Sequence, residues 1–217
     1  MVALNTLIEY RKDRSEALSS GRKKGGGILL YVPDHVTSRE LITRNIDGAE
    51  SLWIICNFDG RLLLVGALYI LLWATAGQTK ELFAHIEDVL DQFPTHDHVL
   101  IGDLNIDLTP GLTSPYAAMI NDLCSKYNME DKVTGPTRIT GISATKIDVM
   151  LCGPPASHIR SPATPLSDSD HHLCSTAATY HSTTPKHHVV SFRLWKHSSD
   201  EDFFCTCCSS HQGIRSI

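Results

Sequence analysis

Residues Val99-Leu100-Ile101-Gly102-Asp103-Leu104-Asn105 run from three aliphatic side chains straight into two polar ones. A short unbroken apolar run of this kind reads as a strand covered on both faces. The segment before it, residues 79–93, places Leu82, Phe83, Ile86, Val89, Leu90 and Phe93 three and four apart with charges between them, and Pro94 follows. That spacing predicts an amphipathic helix. A helix feeding a doubly buried strand requires a sheet with helix packed on it, so the architecture is α/β or α+β. In extended chain, residues two apart point the same way. Asp103 and Asn105 are therefore expected to share a face, with Leu104 toward the core and Gly102 permitting close backbone approach. An Asp-Asn turn that satisfies its own backbone is the plainer alternative for this segment.

The rest of the chain supplies partners for that strand. Gly25-Gly26-Gly27 leads into a β-branched and apolar strand at 28–32, closed by Pro33. Residues 51–57 and 62–69 flank Asp59-Gly60, a hairpin signal that predicts two antiparallel neighbours. A second helix is expected over 115–127 and another strand over 146–152. The run 62–76 is the one place where a membrane span could be argued. It is shorter than the ~20 residues a spanning helix needs, and Gly66 interrupts it. A buried strand followed by an apolar turn is the expectation. Residues 1–10 carry Glu9 behind a short apolar run without a basic start, so no secretory leader is expected.

With 217 residues, 42% hydrophobic and 20% charged, the chain suits one core rather than a disordered or fibrous class. Its 19 basic against 24 acidic residues create no global positive field, so any polyanion must be met locally. Arg11, Lys12, Arg14, Arg22, Lys23 and Lys24 form one such positive segment. Seven cysteines without paired C-x-x-C motifs point to reduced thiols and an intracellular setting, nucleus or cytoplasm. From about residue 181 the apolar periodicity gives way to a polar Cys/His-containing tail, expected to be disordered. Cys205, Cys207, Cys208 and His211 lack the separated ligand pairs of structural zinc modules. His187, His188 and His197 read as solvated.

Two further segments carry chemistry. Lys146-Ile147-Asp148-Val149-Met150-Leu151 is an apolar strand with one carboxylate, and such a group is costly unless partnered. Ser169-Asp170-His171-His172 lies downstream and can provide the partner, because a carboxylate facing an imidazole fixes its tautomer and stabilises its charged form. Acidic strand ends together with a histidine suit metal-assisted phosphoester chemistry.

In their order, Gly102-Asp103-Leu104-Asn105, Ile147-Asp148 and Ser169-Asp170-His171 resemble the endonuclease/exonuclease/phosphatase superfamily, the fold of deoxyribonuclease I. Within it, Tyr10-Arg11-Lys12-Asp13-Arg14, the glycine run into residues 28–32, and Glu50, Leu52 and Trp53 resemble the endonuclease domains of non-LTR retrotransposons. The resemblance covers roughly residues 10–177. It implies an α+β fold, a partial two-sheet α/β sandwich of the deoxyribonuclease I-like type without its first strands, over residues 1–180. Residues 181–217, with Phe192-Arg193-Leu194-Trp195-Lys196, resemble a linker toward a reverse transcriptase.

The resemblance also implies roles. Asp103 would orient or deprotonate water, Asn105 would hold a phosphate oxygen, and His171, oriented by Asp148, would stabilise transition-state charge. Asp170 would assist with metal or with the histidine. Tyr69 stands where the family places a phosphate-contacting tyrosine, although Ile70-Leu71-Leu72 replaces the usual Arg-Pro-Pro. Arg11, Arg14, Lys23 and Lys24 would meet a DNA backbone. The implied cofactor is Mg²⁺ or Mn²⁺, and the implied partner is DNA, with neither a membrane nor an obligate protein partner. The family's metal-binding Glu lies on a strand expected before Tyr10, and Glu9 and Glu16 stand in the wrong context to replace it. Impaired hydrolysis is therefore expected. The alternatives are an inactive nucleic-acid-binding module of the same fold, or a phosphatase for inositol or nucleotide phosphates, against which the retroelement-like segment argues.

Overall fold

The structure, a computed structural model, describes residues 6–14, 26–111, 114–154 and 158–178. The chain divides into two units, Met1–His181 and Ser182–Ile217. The second lies outside the described residues, and with it the tail cysteines and histidines; Lys23 and Lys24 also lie outside them.

In chain order the elements are β1 (Leu7–Lys12), β2 (Ile28–Pro33), β3 (Thr37–Leu41), β4 (Ala49–Phe58), β5 (Arg61–Ile70), α1 (Ala76–Gln92), β6 (Asp97–Asp103) and α2 (Pro115–Lys126). There follow β7 (Glu130–Asp131), β8 (Val133–Thr134), β9 (Arg138–Ile139), β10 (Ala144–Thr145), β11 (Asp148–Gly153) and β12 (Ser161–Pro162). One six-stranded sheet in the order β3-β4-β5-β6-β11-β7 forms the centre. Only β5 and β6 pair in parallel in it, joined through α1; the other neighbours are antiparallel.

Local chemistry explains these elements. Asp59 and Gly60 both adopt positive φ, 52° and 92°, as a two-residue hairpin turn whose twist matches the flanking strands requires. Asn57 Oδ1 accepts the Gly60 N–H at 2.7 Å and closes that turn. Thr75 and Gln78 form a reciprocal capping box at the start of α1. Ser114 caps α2, with Pro115 in its first turn, where a missing N–H costs nothing.

Strand alternation then sorts side chains into two layers. Ala49, Trp53 and Ile55 of β4, Leu64 and Leu68 of β5, Leu100 of β6, and Val149 and Leu151 of β11 pack beneath the helices with Leu82, Phe83, Ile86, Leu90, Ile120 and Leu123. Ile54, Cys56 and Leu63 face the opposite way and are covered by Val32 and Val36, with Tyr10 and Leu30 of the β1–β2 hairpin packed against them. Gly66, opposite Trp53 in register, leaves space for the indole, since a Cβ there would lie 2.6 Å from the ring. The apolar run 62–76 is thus a core strand and turn, and among the described residues no helix is long and apolar enough to cross a membrane.

Among the described residues, seven strands exceed the sequence expectation: β1, β3 and the two-residue β7, β8, β9, β10 and β12. β1 forms from the segment read as a basic motif, with Tyr10 inward and Arg11 outward, and β3 forms an edge of the central sheet. Asn105 departs from it as well. Its φ is +49°, so the chain leaves extended conformation after Asp103 rather than continuing through Asn105. Leu104 is buried as expected. The four described cysteines, Cys56, Cys124, Cys152 and Cys174, are free thiols whose pKa is pushed up by burial.

Candidate active site

Glu50, Tyr69, Asp103 and Asp148 are successive Cα partners across β4, β5, β6 and β11. They therefore form one row on the face of the sheet opposite the helices. Neighbouring strands lie ~4.8 Å apart, so adjacent members of the row are within side-chain reach. The loop after β12 brings His171 to the end of it. Its Nδ1 lies 3.1 Å from Asp148 Oδ2 and 3.2 Å from Oδ1, and its backbone N–H donates to Ser169 Oγ at 3.0 Å. Ligand atoms of Asp103, Asp148 and His171 all fall within 4.8 Å of one another, the one such grouping of acidic, histidine or cysteine side chains among the described residues. These three half-buried groups could hold a divalent cation.

Asp103 is partly buried, and desolvation raises its pKa above the ordinary 3.8. The Asp148 charge adds to that rise. The Asn105 N–H, donating to Asp103 Oδ1 at 2.9 Å, opposes it, as do His171 and Arg138. The plainer sequence alternative, a turn closing on its own backbone, is therefore present and coexists with the cluster. Asn105 donates one amide hydrogen to the Ile70 carbonyl at 2.7 Å, which ties the end of β6 to the end of β5. Gly102, at φ +148°, has no room for a side chain against β5: a Cβ there would lie 1.8 Å from the Leu68 carbonyl oxygen.

Two residues not assigned from sequence complete the arrangement. The Thr137 side chain, in a fully buried residue, accepts the N–H of Ile147 at 3.0 Å and of Asp148 at 2.9 Å, while its carbonyl accepts the His172 N–H at 2.7 Å. One threonine thus fixes both the start of β11 and the loop carrying His171. Nothing in the sequence marks it. Arg138 donates from Nε to Asp170 Oδ2 at 2.7 Å and holds the Asp170 carboxyl below its usual range. Asp170 accordingly stands outside the metal-competent group.

Glu50, the far end of the row, is buried and accepts from Arg14 Nε and from the Gly27 N–H at 2.9 Å. The rule that exposed Asp148, a carboxylate in an apolar strand needing a partner, applies equally to Glu50 and would have found it. The Arg14 guanidinium lies 5.5 Å from the Tyr69 ring centre and 6.0 Å from that of Trp73. It is half-buried against Glu50 rather than set out on the surface. Arg11 is exposed on the outward side of β1 and pairs with Asp13 at 2.6 Å.

No family model matches the chain, and no curated protein matches it in sequence. Among solved structures it is similar to the endonuclease domain of TRAS1, a telomere-specific non-LTR retrotransposon, at 12% identity over 76% of this chain and 75% of that one, with a TM-score of 0.58. An endonuclease/exonuclease/phosphatase family protein from Leptotrichia buccalis gives 15% identity, 77% and 69% coverage, and a TM-score of 0.54. The human Nocturnin catalytic domain gives 15% identity, 80% and 72% coverage, and a TM-score of 0.50. The chain therefore has the deoxyribonuclease I-like fold of the endonuclease/exonuclease/phosphatase superfamily, an α+β sandwich.

Proposed function

We propose that this chain is a phosphodiester hydrolase acting on DNA, of the retroelement endonuclease type. The observation that carries the reading is the meeting of Asp103, Asp148 and His171 within 4.8 Å. The endonuclease domain of a retrotransposon among proteins of like fold supports it.

Asp103 takes a proton from water as the water oxygen bonds to phosphorus. The bond from phosphorus to the leaving deoxyribose oxygen breaks, its electron pair stays on that oxygen, and the oxygen takes a proton from solvent to leave as a hydroxyl. His171, held at Nδ1 by Asp148, presents Nε2 to the phosphoryl oxygens on which charge grows. Tyr69 flanks Asp103 in register and contacts the phosphate, as does the amide hydrogen of Asn105 not given to Ile70. Asp103 and Asp148 would hold Mg²⁺ or Mn²⁺, which supplies charge neutralisation at the phosphate when bound. Asp170 supports the His171 loop through Arg138.

A hard cation takes several oxygen ligands. Here Asp148 is shared with His171 and Glu50 is committed to Arg14 and Gly27, so metal binding is weak and hydrolysis slow. That shortage also favours a second reading, a DNA-binding module without turnover. Nicking of supercoiled plasmid in Mg²⁺ and in Mn²⁺, comparing the full chain with Asp103→Ala and His171→Ala, decides between them. Slow nicking abolished in both variants is expected. Nicking indifferent to both substitutions, or hydrolysis of soluble phosphate esters with none of plasmid, overturns the proposal; no cleavage in any divalent ion leaves the binding module.

A further inference from the structure

The chain leaves β5 through a tight turn that is anchored at both ends. Leu71 is buried, its N–H donates to the Gly48 carbonyl at 3.0 Å, and its own carbonyl accepts the Ala74 N–H at 2.9 Å. Thr75, the cap of α1, follows directly. Between these anchors Leu72 and Trp73 are 73% and 44% exposed. Exposing two large apolar side chains side by side on a fixed turn is costly in water, and such patches mark binding surfaces. The turn begins two residues after Tyr69, so it stands at the same end of the sheet as the acidic row. Arg14, fixed by Glu50, lies 5.5 Å from the Tyr69 ring centre and 6.0 Å from that of Trp73 and so links the turn to that row.

We propose that Leu72 and Trp73 form a stacking platform for an unpaired nucleobase next to the phosphate being cleaved, giving the site a preference for single-stranded or frayed DNA. The inference rests on the hydrolase reading for its substrate class. A substrate that brings phosphate to Asp103 and His171 carries flat apolar surface only on its bases. In a continuous duplex those faces are covered by neighbouring base pairs, and only a base outside the stack presents one. An indole accepts any base, so the platform selects strand state rather than sequence.

Fluorescence anisotropy with a labelled short single strand and with the same sequence as a closed hairpin duplex tests this. The full chain carries Asp103→Asn throughout, so that binding is read without turnover. Single-strand binding is expected to weaken about five- to a hundredfold in Trp73→Ala, while duplex binding stays unchanged. Trp73→Phe, which keeps a ring, should stay close to the parent. Leu72→Asp, at a position too exposed to disturb the core, should also lose single-strand binding. Equal single-strand binding by parent, Trp73→Ala and Leu72→Asp, or an equal loss on duplex, overturns the platform. Trp73-dependent binding by a chain that never nicks plasmid sinks the hydrolase reading alone; active nicking with Trp73-independent binding sinks the platform alone.

Discussion

Thr137→Val replaces a buried hydroxyl by a methyl of nearly the same size, so its effect isolates two hydrogen bonds. In the parent, Thr137 Oγ1 accepts from Ile147 N at 3.0 Å and from Asp148 N at 2.9 Å. Valine leaves both donors without that acceptor. A buried unsatisfied N–H costs about 1–3 kcal/mol, and the Asp148 donor belongs to a half-buried residue, so its share falls at the low end. The sum is about 2–4 kcal/mol, a large part of the ~5–15 kcal/mol that stabilises a typical domain. Urea unfolding followed through buried Trp53 should show the midpoint lowered by roughly 1–2 M at unchanged slope, for a slope near 2 kcal/mol/M. Thr137→Ser keeps the oxygen and loses one methyl, which costs only about 1 kcal/mol. A valine variant within 0.5 kcal/mol of the parent, on an uncertainty of about that size, would refute the reasoning, as would a serine variant equally damaged.

Two further outcomes follow from charges in the row. Arg14→Met leaves the Glu50 carboxylate buried without its cation and should cost about 3 kcal/mol in urea unfolding; the double variant with Glu50→Gln should recover most of that, and strict additivity of the two changes would count against the pairing. Asp103 has its folded-state pKa raised above 3.8, so the folded protein holds that proton more tightly than the unfolded chain. The stability this contributes is full below the ordinary value and is lost as pH rises through the raised one. Asp103→Asn should therefore raise the urea midpoint at neutral pH in metal-free buffer, with the difference vanishing as pH falls below the ordinary carboxylate value.

The parts of this fold that were legible in sequence are those set by short-range pattern. The Asp59-Gly60 turn, the α1 stripe ending at Pro94 and the run 99–101 each carry their own periodicity or backbone signal. β1 and β3 do not. Their residues are split between a half-covered side and water, and Glu9, Arg11, Arg39 and Glu40 dilute the apolar signal. The site was legible as separate residues, because a carboxylate in an apolar strand needs a reason to be there. Its geometry was not legible, because the row depends on register between strands whose pairings span the α1 crossover and the whole of α2. The left-handed Asn105 escaped for a related reason: it is the tie to Ile70, 35 residues away, that holds it.

Register is also where stability and chemistry become the same quantity. Glu50 is the second residue of β4, Tyr69 the next to last of β5, Asp103 the last of β6 and Asp148 the first of β11. In a mixed sheet these are positions at one end, so the parallel β5–β6 pair and the antiparallel β11 deliver their polar residues to the same edge. A slip of β11 by one residue would turn Asp148 into the layer packed by Leu64 and Leu100 and put Val149 beside Asp103. Burying a carboxylate there without a partner costs several kcal/mol, more than the loss of any one ladder bond. Two devices fix the strands that meet here, one between β5 and β6 and one at the start of β11. Gly102 lets β6 approach the Leu68 carbonyl at a distance no other residue allows, and Thr137 holds the Ile147 and Asp148 N–H groups at the start of β11. Neither residue belongs to the Asp103, Asp148 and His171 group, yet both decide whether those three can stand together.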